Sequence, residues 1–191
     1  MAGRQAKILS NGQLLAALKA TRKSRYPDRD RAMLLLSAKA GLRAAEIAGL
    51  AWPMVLGADG RLADQIALAN DIAKKGSGRH IPMHPLLRTA LGKLLKGANG
   101  QGRLVRSERG DAMRAGSVVN WFRAFYTSLG LQGCSSHSGR RTFITLAARR
   151  VPKTGGSLRD VQLLAGHRSL KHTQAYIEGD SRAQRRLVNL L

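Results

Sequence analysis

The sequence is poor in cysteine, and this shortage excludes two classes of protein. A single cysteine, Cys134, cannot form a disulfide within the chain or contribute to a cysteine-rich metal cluster. No group of histidine and cysteine residues has the spacing of a zinc site either. We therefore expect Cys134 to be an ordinary packed thiol, and we predict no metal and no cofactor.

Long hydrophobic runs are also missing. The N-terminus is not followed by an apolar segment of the signal-peptide type, and later hydrophobic stretches, such as residues 32–52, are interrupted by charged residues. This pattern predicts a soluble, cytoplasmic protein without a membrane segment.

Acidic residues are few, whereas basic residues are abundant. The chain has 33 Lys and Arg against 11 Asp and Glu, a net charge of +22, and a pI near 11.7. Because 43% of the residues are hydrophobic, the chain can form a core, unlike a disordered basic tail. The charge therefore favours a folded protein that binds a polyanion, with nucleic acid as the leading candidate.

The first third of the chain is typical of helices. Ser10 and Gln13 form a capping-box pattern before leucines at helical spacing, which predicts a helix over residues 11–23. Apolar residues from Arg31 lead to Gly41, and a second helical stripe ends before Pro53, which predicts a pair of helices joined by a turn.

The remainder predicts one small sheet and further helices. Short pieces at 54–56, 65–68 and 79–81 are separated by turn residues and favour strands. Helices are expected at about 85–96, 117–129, 141–150 and 157–165. We therefore predict a mainly α fold with a small antiparallel β-sheet (α+β), forming a single domain over residues 1–191.

Two segments in the first half carry candidate functional side chains. Arg43 and Glu46 lie three residues apart, so they are neighbours on a helix. Lys74 and Lys75 precede a glycine-containing turn that would place a lysine at the tip or edge of a hairpin. Taken alone, the first is an ordinary surface ion pair and the second a solvated turn.

Two segments in the second half complete the set. His137 and Arg140 lie one turn apart where a helix begins, a position that suits phosphate binding. His167 follows a helix-ending glycine and precedes Tyr176 by nine residues.

In this order, the segments resemble the tyrosine recombinase (phage integrase) family. The family pattern is G-L-R-x-x-E, a hairpin lysine before R-x-[VI]-P, H-x-x-R, G-H and a tyrosine about nine residues later, and it is matched over residues 41–176. Each piece is common, but the ordered set is specific. The resemblance implies the catalytic domain of an enzyme that cuts and rejoins double-stranded DNA, in site-specific integration, excision or inversion.

The resemblance also implies a mechanism without a metal. Tyr176 would attack the scissile phosphate and form a 3′-phosphotyrosyl bond while a 5′-hydroxyl leaves. Arg43 and Arg140 would hold the phosphate, because a guanidinium grips two oxygens and keeps its charge. His167 would donate a hydrogen bond to a non-bridging oxygen.

Proton transfer and support fall to the remaining residues of the pattern. The hairpin lysine would protonate the leaving group, and counting back from Pro82 favours Lys74 over the alternative, Lys75. His137 would accept the proton of the tyrosine, and Glu46 would orient Arg43 rather than touch DNA.

The chain departs from the family pattern in several ways. Gly139 and Ala165 stand where leucine is usual, and Pro53 where a polar residue is usual. Only about 40 residues precede Arg43, so we expect the N-terminal core-binding domain of most relatives to be absent, in either a fragment or a minimal recombinase. The tail at about 178–191 would pack on its own domain or on an adjacent protomer, in a dimer or tetramer assembled on DNA.

Two other functions fit the same residues. A degenerate, non-catalytic integrase would only occupy DNA through its basic surface. A type IB topoisomerase-like enzyme would share the covalent tyrosine chemistry but relax DNA without exchanging partners.

Overall fold

The computed structural model describes residues 6–110, 112–176, 185 and 188–189. In this part of the chain most residues are helical, and the sheet has two strands. The elements, in chain order, are α1 (Asn11–Ala20), α2 (Pro27–Lys39), α3 (Ala44–Gly49), β1 (Gln65–Leu68), β2 (Arg79–Pro82), α4 (Pro85–Lys96), α5 (Ala115–Ser128), α6 (Ser138–Arg150), α7 (Leu158–Ala165) and α8 (Leu170–Gln174). The predicted fold class is confirmed.

Side-chain caps begin two of these helices as the sequence predicts. Ser10 accepts a hydrogen bond from the backbone N–H of Gln13, whose side chain accepts one from Ser10 N–H. At α7, the Asp160 carboxylate accepts from Ser157 N–H at 2.7 Å. Each cap satisfies backbone donors that the first helical turn leaves open.

The central helix α2 begins earlier than predicted. The apolar pattern predicts a start at Arg31, but the helix starts at Pro27, which occupies a first-turn position where its missing N–H costs nothing. Asp28 and Asp30 lie in the same turn, where their negative charges interact favourably with the positive end of the helix dipole. The buried residues 32–38 of α2 then form the centre of the core, between α4 and α6.

The sheet is smaller than predicted. Strands β1 and β2 pair antiparallel, with Ile66 opposite Ile81. The strand predicted at residues 54–56 is wrong, because Trp52–Met54 forms a 3-10 turn and Leu56 makes only an isolated bridge with Leu62. Pro53 explains the difference, since it sets a helical φ and lacks the N–H that a strand pair needs.

Glycines bring α6 close to α2. A Cβ at Gly139 would lie 2.4 Å from Ser37 Oγ, and one at Gly41 would lie 2.4 Å from a ring carbon of Phe143. The departure from leucine at Gly139 therefore fits a tight helix contact. This contact places the start of α6 beside the turn that follows α2.

Two further features complete the fold. The thiol of Cys134 is free and half-buried against the core, as expected. In the part of the chain that the structure describes, no helix is long and apolar enough to cross a membrane. Most of the tail at 178–191 lies outside the described residues.

Candidate active site

Four of the predicted site residues occupy the ends of helices. Arg43 immediately precedes α3, and Arg140 lies in the first turn of α6. His167 follows Gly166, which ends α7 with a left-handed φ of 61°. Tyr176 lies two residues after the end of α8. Helix ends from four parts of the chain therefore supply these side chains.

Arg140 is held inside the protein. Its side chain is buried, with the residue 4% exposed, and its two terminal nitrogens donate to the carbonyls of Gly41 and Ala165, both at 2.6 Å. Burial and the charge of Arg43 lower the pKa of Arg140 to about 10, while the charges of Glu46 and, less strongly, Tyr176 act in the opposite direction. The guanidinium therefore stays charged at neutral pH, within electrostatic reach of the tyrosine.

Glu46 lies between two arginines. Its side chain is fully buried, and its Oε1 accepts from Arg43 Nη1 at 2.7 Å. Arg79 donates to both carboxylate oxygens at 3.2 and 3.1 Å. Burial alone would raise the pKa of Glu46, but the hydrogen bonds and charges of Arg79 and Arg43 outweigh it and lower the pKa. The carboxylate is therefore ionised and hydrogen-bonded to Arg43.

Arg79 is a supporting residue that the sequence reasoning missed. Besides its pair with Glu46, its Nε donates to the Leu164 carbonyl at 2.8 Å. A Cβ at Gly166 would lie 2.8 Å from Arg79 Nη1, so a glycine is needed there. Arg79 thus ties β2 to the turn that carries His167. The R-x-[VI]-P pattern contained this residue but gave no sign of its contacts.

His167 is positioned by its neighbours on α7 and α8. Gln162 bonds the His167 backbone at both its N–H and its carbonyl, at 3.0 and 2.9 Å. The His167 Nδ1 lies 3.0 Å from Thr173 Oγ1. Burial, followed by the charges of Arg140 and Arg43, lowers the pKa of His167 to about 4. The imidazole is therefore neutral at pH 7.

The Tyr176 ring stacks on His167. The ring centroids are 5.5 Å apart with an angle of 25° between the planes. The Tyr176 backbone N–H donates to the Thr173 carbonyl, and its carbonyl accepts from Thr145 Oγ1. The tyrosine therefore reaches the site from its own chain, half-buried beside a small apolar cluster of α6 and α7.

A cavity of about 180 Å³ opens beside these groups. Its walls are formed by Arg43, Lys74, Gly166, His167, Arg168 and His172. The side chain of Lys74, the favoured hairpin lysine, thus faces the same space as Arg43. The side chain of the alternative, Lys75, lies outside what the structure describes. His137 is exposed and immediately precedes α6, one turn from Arg140.

The electrostatics of this region favour an anion. The buried carboxylate of Glu46 faces Arg43 and Arg79, and the charges of all three act on Arg140. Three guanidiniums against this carboxylate leave a positive excess that an anion can neutralise. Among the described residues, no group of three or more His, Cys, Asp or Glu side chains could hold a metal ion.

Comparisons with known proteins agree on one family. The family model described as the phage integrase family matches residues 7–182. The tyrosine recombinase XerC of Pelobacter propionicus is 31% identical over 160 residues, which cover 82% of this chain and 49% of that protein. The chain therefore spans about half the length of the curated relative that it matches.

Solved structures show a similar fold. The Tn1549 transposon integrase in complex with a circular intermediate DNA has a TM-score of 0.76 and 19% identity, over 100% of this chain and 67% of that one. The XerA recombinase has a TM-score of 0.76 and 22% identity, over 100% of this chain and 65% of that one. At these identities the likeness extends to the fold alone.

Proposed function

This chain belongs to the phage integrase family, and from that premise we propose that it cuts and rejoins double-stranded DNA in site-specific recombination. The observation that carries the proposal is the stacking of Tyr176 on His167, with Arg43 and His167 lining one cavity. A nucleophile stacked on a neutral hydrogen-bond donor then lies next to a cavity that Arg43 lines and that suits a phosphate.

The chemical step that we propose is a transesterification. The Tyr176 oxygen attacks the scissile phosphorus, a phosphorus–oxygen bond to the tyrosine forms, and the bond to the 5′-oxygen breaks. The product is a 3′-phosphotyrosyl protein and a free 5′-hydroxyl, which later attacks the same phosphorus to rejoin a strand. The bond energy is kept in the phosphotyrosyl link, so no external energy source is needed.

Arg43 and Arg140 supply the charge stabilisation in this proposal. The transition state concentrates negative charge on the phosphate oxygens, and fixed cations in a site of low dielectric stabilise it most strongly. Support comes from the anchoring of both guanidiniums, Arg43 by Glu46 and Arg140 by two backbone carbonyls. Because these cations carry the charge, we propose that the reaction is independent of a metal.

His167 and Lys74 complete the contacts with the phosphate and the leaving group. A neutral His167, held at Nδ1 by Thr173, presents Nε2 as a donor to a non-bridging oxygen when its tautomer carries the proton there. Lys74, which faces the cavity, protonates the 5′-oxygen as it leaves. His137, next to α6 and Arg140, accepts the proton of Tyr176.

The partner proposed is a DNA duplex, held by charge as well as by the site. A net charge of +22 attracts the phosphate backbone, and this attraction is sensitive to salt. We further propose that several protomers assemble on the DNA, because strand exchange requires two duplexes to be cut together.

A site-independent adduct assay tests the proposal. The protein is incubated in EDTA with a pool of nicked duplexes that have randomised core sequences, so that a cut strand loses its 5′-hydroxyl end and cannot be rejoined. We expect an SDS-resistant protein–DNA adduct in the wild type and none in Tyr176→Phe, and sequencing of the trapped DNA identifies the preferred site.

A second tyrosine of the chain, Tyr26, provides the matched control. Tyr26→Phe changes a tyrosine outside the site, so it should leave adduct formation intact. Retention of the DNA without any adduct would contradict the proposal and favour a non-catalytic DNA-binding protein. Plasmid relaxation without recombinant products, on substrates carrying two copies of the trapped site, would favour a topoisomerase-like enzyme.

A further inference from the structure

We propose that His172 is a further active-site residue, one that hydrogen-bonds a non-bridging oxygen of the phosphodiester bound in the cavity beside His167. The proposal rests on the proposed function and names a residue outside the sequence pattern that led to it. The main observation behind it is that two imidazoles, those of His167 and His172, line the cavity.

The two imidazoles lie close together. Their ring centroids are 6.2 Å apart, and their planes are inclined at 49°. This spacing is too long for a hydrogen bond between the rings, but it allows both to reach a tetrahedral group placed between them. Arg43 and Lys74 line the same cavity, so the anion that they attract comes within reach of His172.

The helix that carries His172 is fixed on both sides. The next residue, Thr173, is fully buried and contacts His167 Nδ1 through its hydroxyl. The Thr173 carbonyl also accepts from the N–H of Tyr176. His172 therefore has little freedom of backbone position relative to His167 and Tyr176, although its own side chain is exposed. Because the backbone is already in place, only the side-chain torsions of His172 have to be ordered when it binds a phosphate.

The first experiment detects the ligand contact without any chemistry. The full chain is labelled with 15N-histidine, and imidazole NMR signals are followed during titration with inorganic phosphate. We expect the signals of His167 and His172, assigned with the His172→Gln variant, to shift along one binding curve. The signal of His84, which bonds the N–H of Leu86 at the start of α4, serves as the internal control and should stay in place.

The second experiment measures the consequence for strand cleavage. Single-turnover adduct formation on the duplexes trapped from the pool is compared between the wild type, His172→Gln and Lys171→Gln, at saturating protein. Lys171 is an exposed neighbour on the same helix that does not line the cavity. Loss of one donor to the transition state should slow His172→Gln roughly 10-fold with similar DNA affinity, whereas Lys171→Gln should cleave at the wild-type rate.

The outcomes separate this inference from the proposed function. If phosphate shifts the His167 signal and leaves His172 unmoved, or if His172→Gln cleaves at the wild-type rate, His172 is an ordinary surface residue and the inference is wrong. If the wild type forms no adduct with any duplex, the proposed function fails, and the phosphate titration alone decides whether His172 contacts an anion.

Discussion

Replacing Glu46 by glutamine tests the electrostatic arrangement of the site. The change keeps the shape of the side chain and removes the buried negative charge that faces Arg43 and Arg79. Breaking a buried ion pair by removing one partner costs about 3–5 kcal/mol, because the remaining charge is left buried without compensation. Since the glutamine oxygen still accepts one hydrogen bond, we expect the lower end, about 3 kcal/mol of unfolding free energy.

This loss is large enough to measure by thermal and urea unfolding. For a chain of this size, 1 kcal/mol corresponds to about 2–4 °C in Tm, so the expected drop is ~6–12 °C. The matched control is Glu108→Gln, which breaks an exposed ion pair with Arg25. Surface pairs of this kind contribute about 0–1 kcal/mol, so the control should lose little stability.

Sulfate provides a second arm of the same test. An anion that binds only the folded protein raises its stability, and without the carboxylate the guanidiniums should bind sulfate more tightly. We expect sulfate, compared with chloride at equal ionic strength, to raise the Tm of Glu46→Gln more than that of the wild type or of Glu108→Gln. A stability loss no larger than that of Glu108→Gln, with the same response to sulfate, would refute the reasoning.

Two further predictions concern His167 and the helix contact at Gly139. The pKa of His167 is about 4 in the folded chain, against an ordinary 6.5. Between these two pH values the unfolded chain binds a proton at this histidine and the folded chain does not. The free energy of unfolding should therefore fall as the pH drops from 6.5 to 4. The full shift would give about 3 kcal/mol, which solvent screening of the half-buried ring reduces to about 1–2 kcal/mol. Urea unfolding at pH 7 and 5 should show a smaller fall in His167→Gln, and equal falls would contradict the assignment. Gly139→Ala should lose about 1–3 kcal/mol of unfolding free energy, because its Cβ would meet Ser37. The control Gly116→Ala, where the Cβ meets nothing within 4 Å, should not be destabilised. Equal stability of the two variants in urea would contradict this prediction.

Much of the fold could be predicted because its signals are local. The Ser10 and Ser157 capping boxes mark helix starts through residues only three positions apart, and both are present in the structure. The strand predicted at 54–56 failed because its apolar residues fit a strand or a buried turn equally well, and Pro53 decided for the turn. The short α8 was missed, since five residues are too few for a helical period to show.

In the candidate site, too, the residues with a local sequence signal could be predicted and the long-range contacts could not. Arg43, Arg140, His167 and Tyr176 were found through an ordered pattern, and the structure brings them together, while their chemical roles stay predictions. Long-range partners left no comparable trace in the sequence. Arg79 is hydrogen-bonded to Glu46, which lies 33 residues away in the chain, and to Leu164, which lies 85 residues away. No local sequence pattern predicts either contact.

The two anchors of Arg140 bear on the point during synthesis at which the proposed DNA cleavage becomes possible. One anchor lies 99 residues before it and the other 25 residues after it. A nascent chain on the ribosome, or a proteolytic fragment that ends before Ala165, would therefore make only the hydrogen bond from Arg140 to the Gly41 carbonyl. The proposed phosphate clamp would then be complete only once Ala165 has been made, 11 residues before the proposed nucleophile, Tyr176.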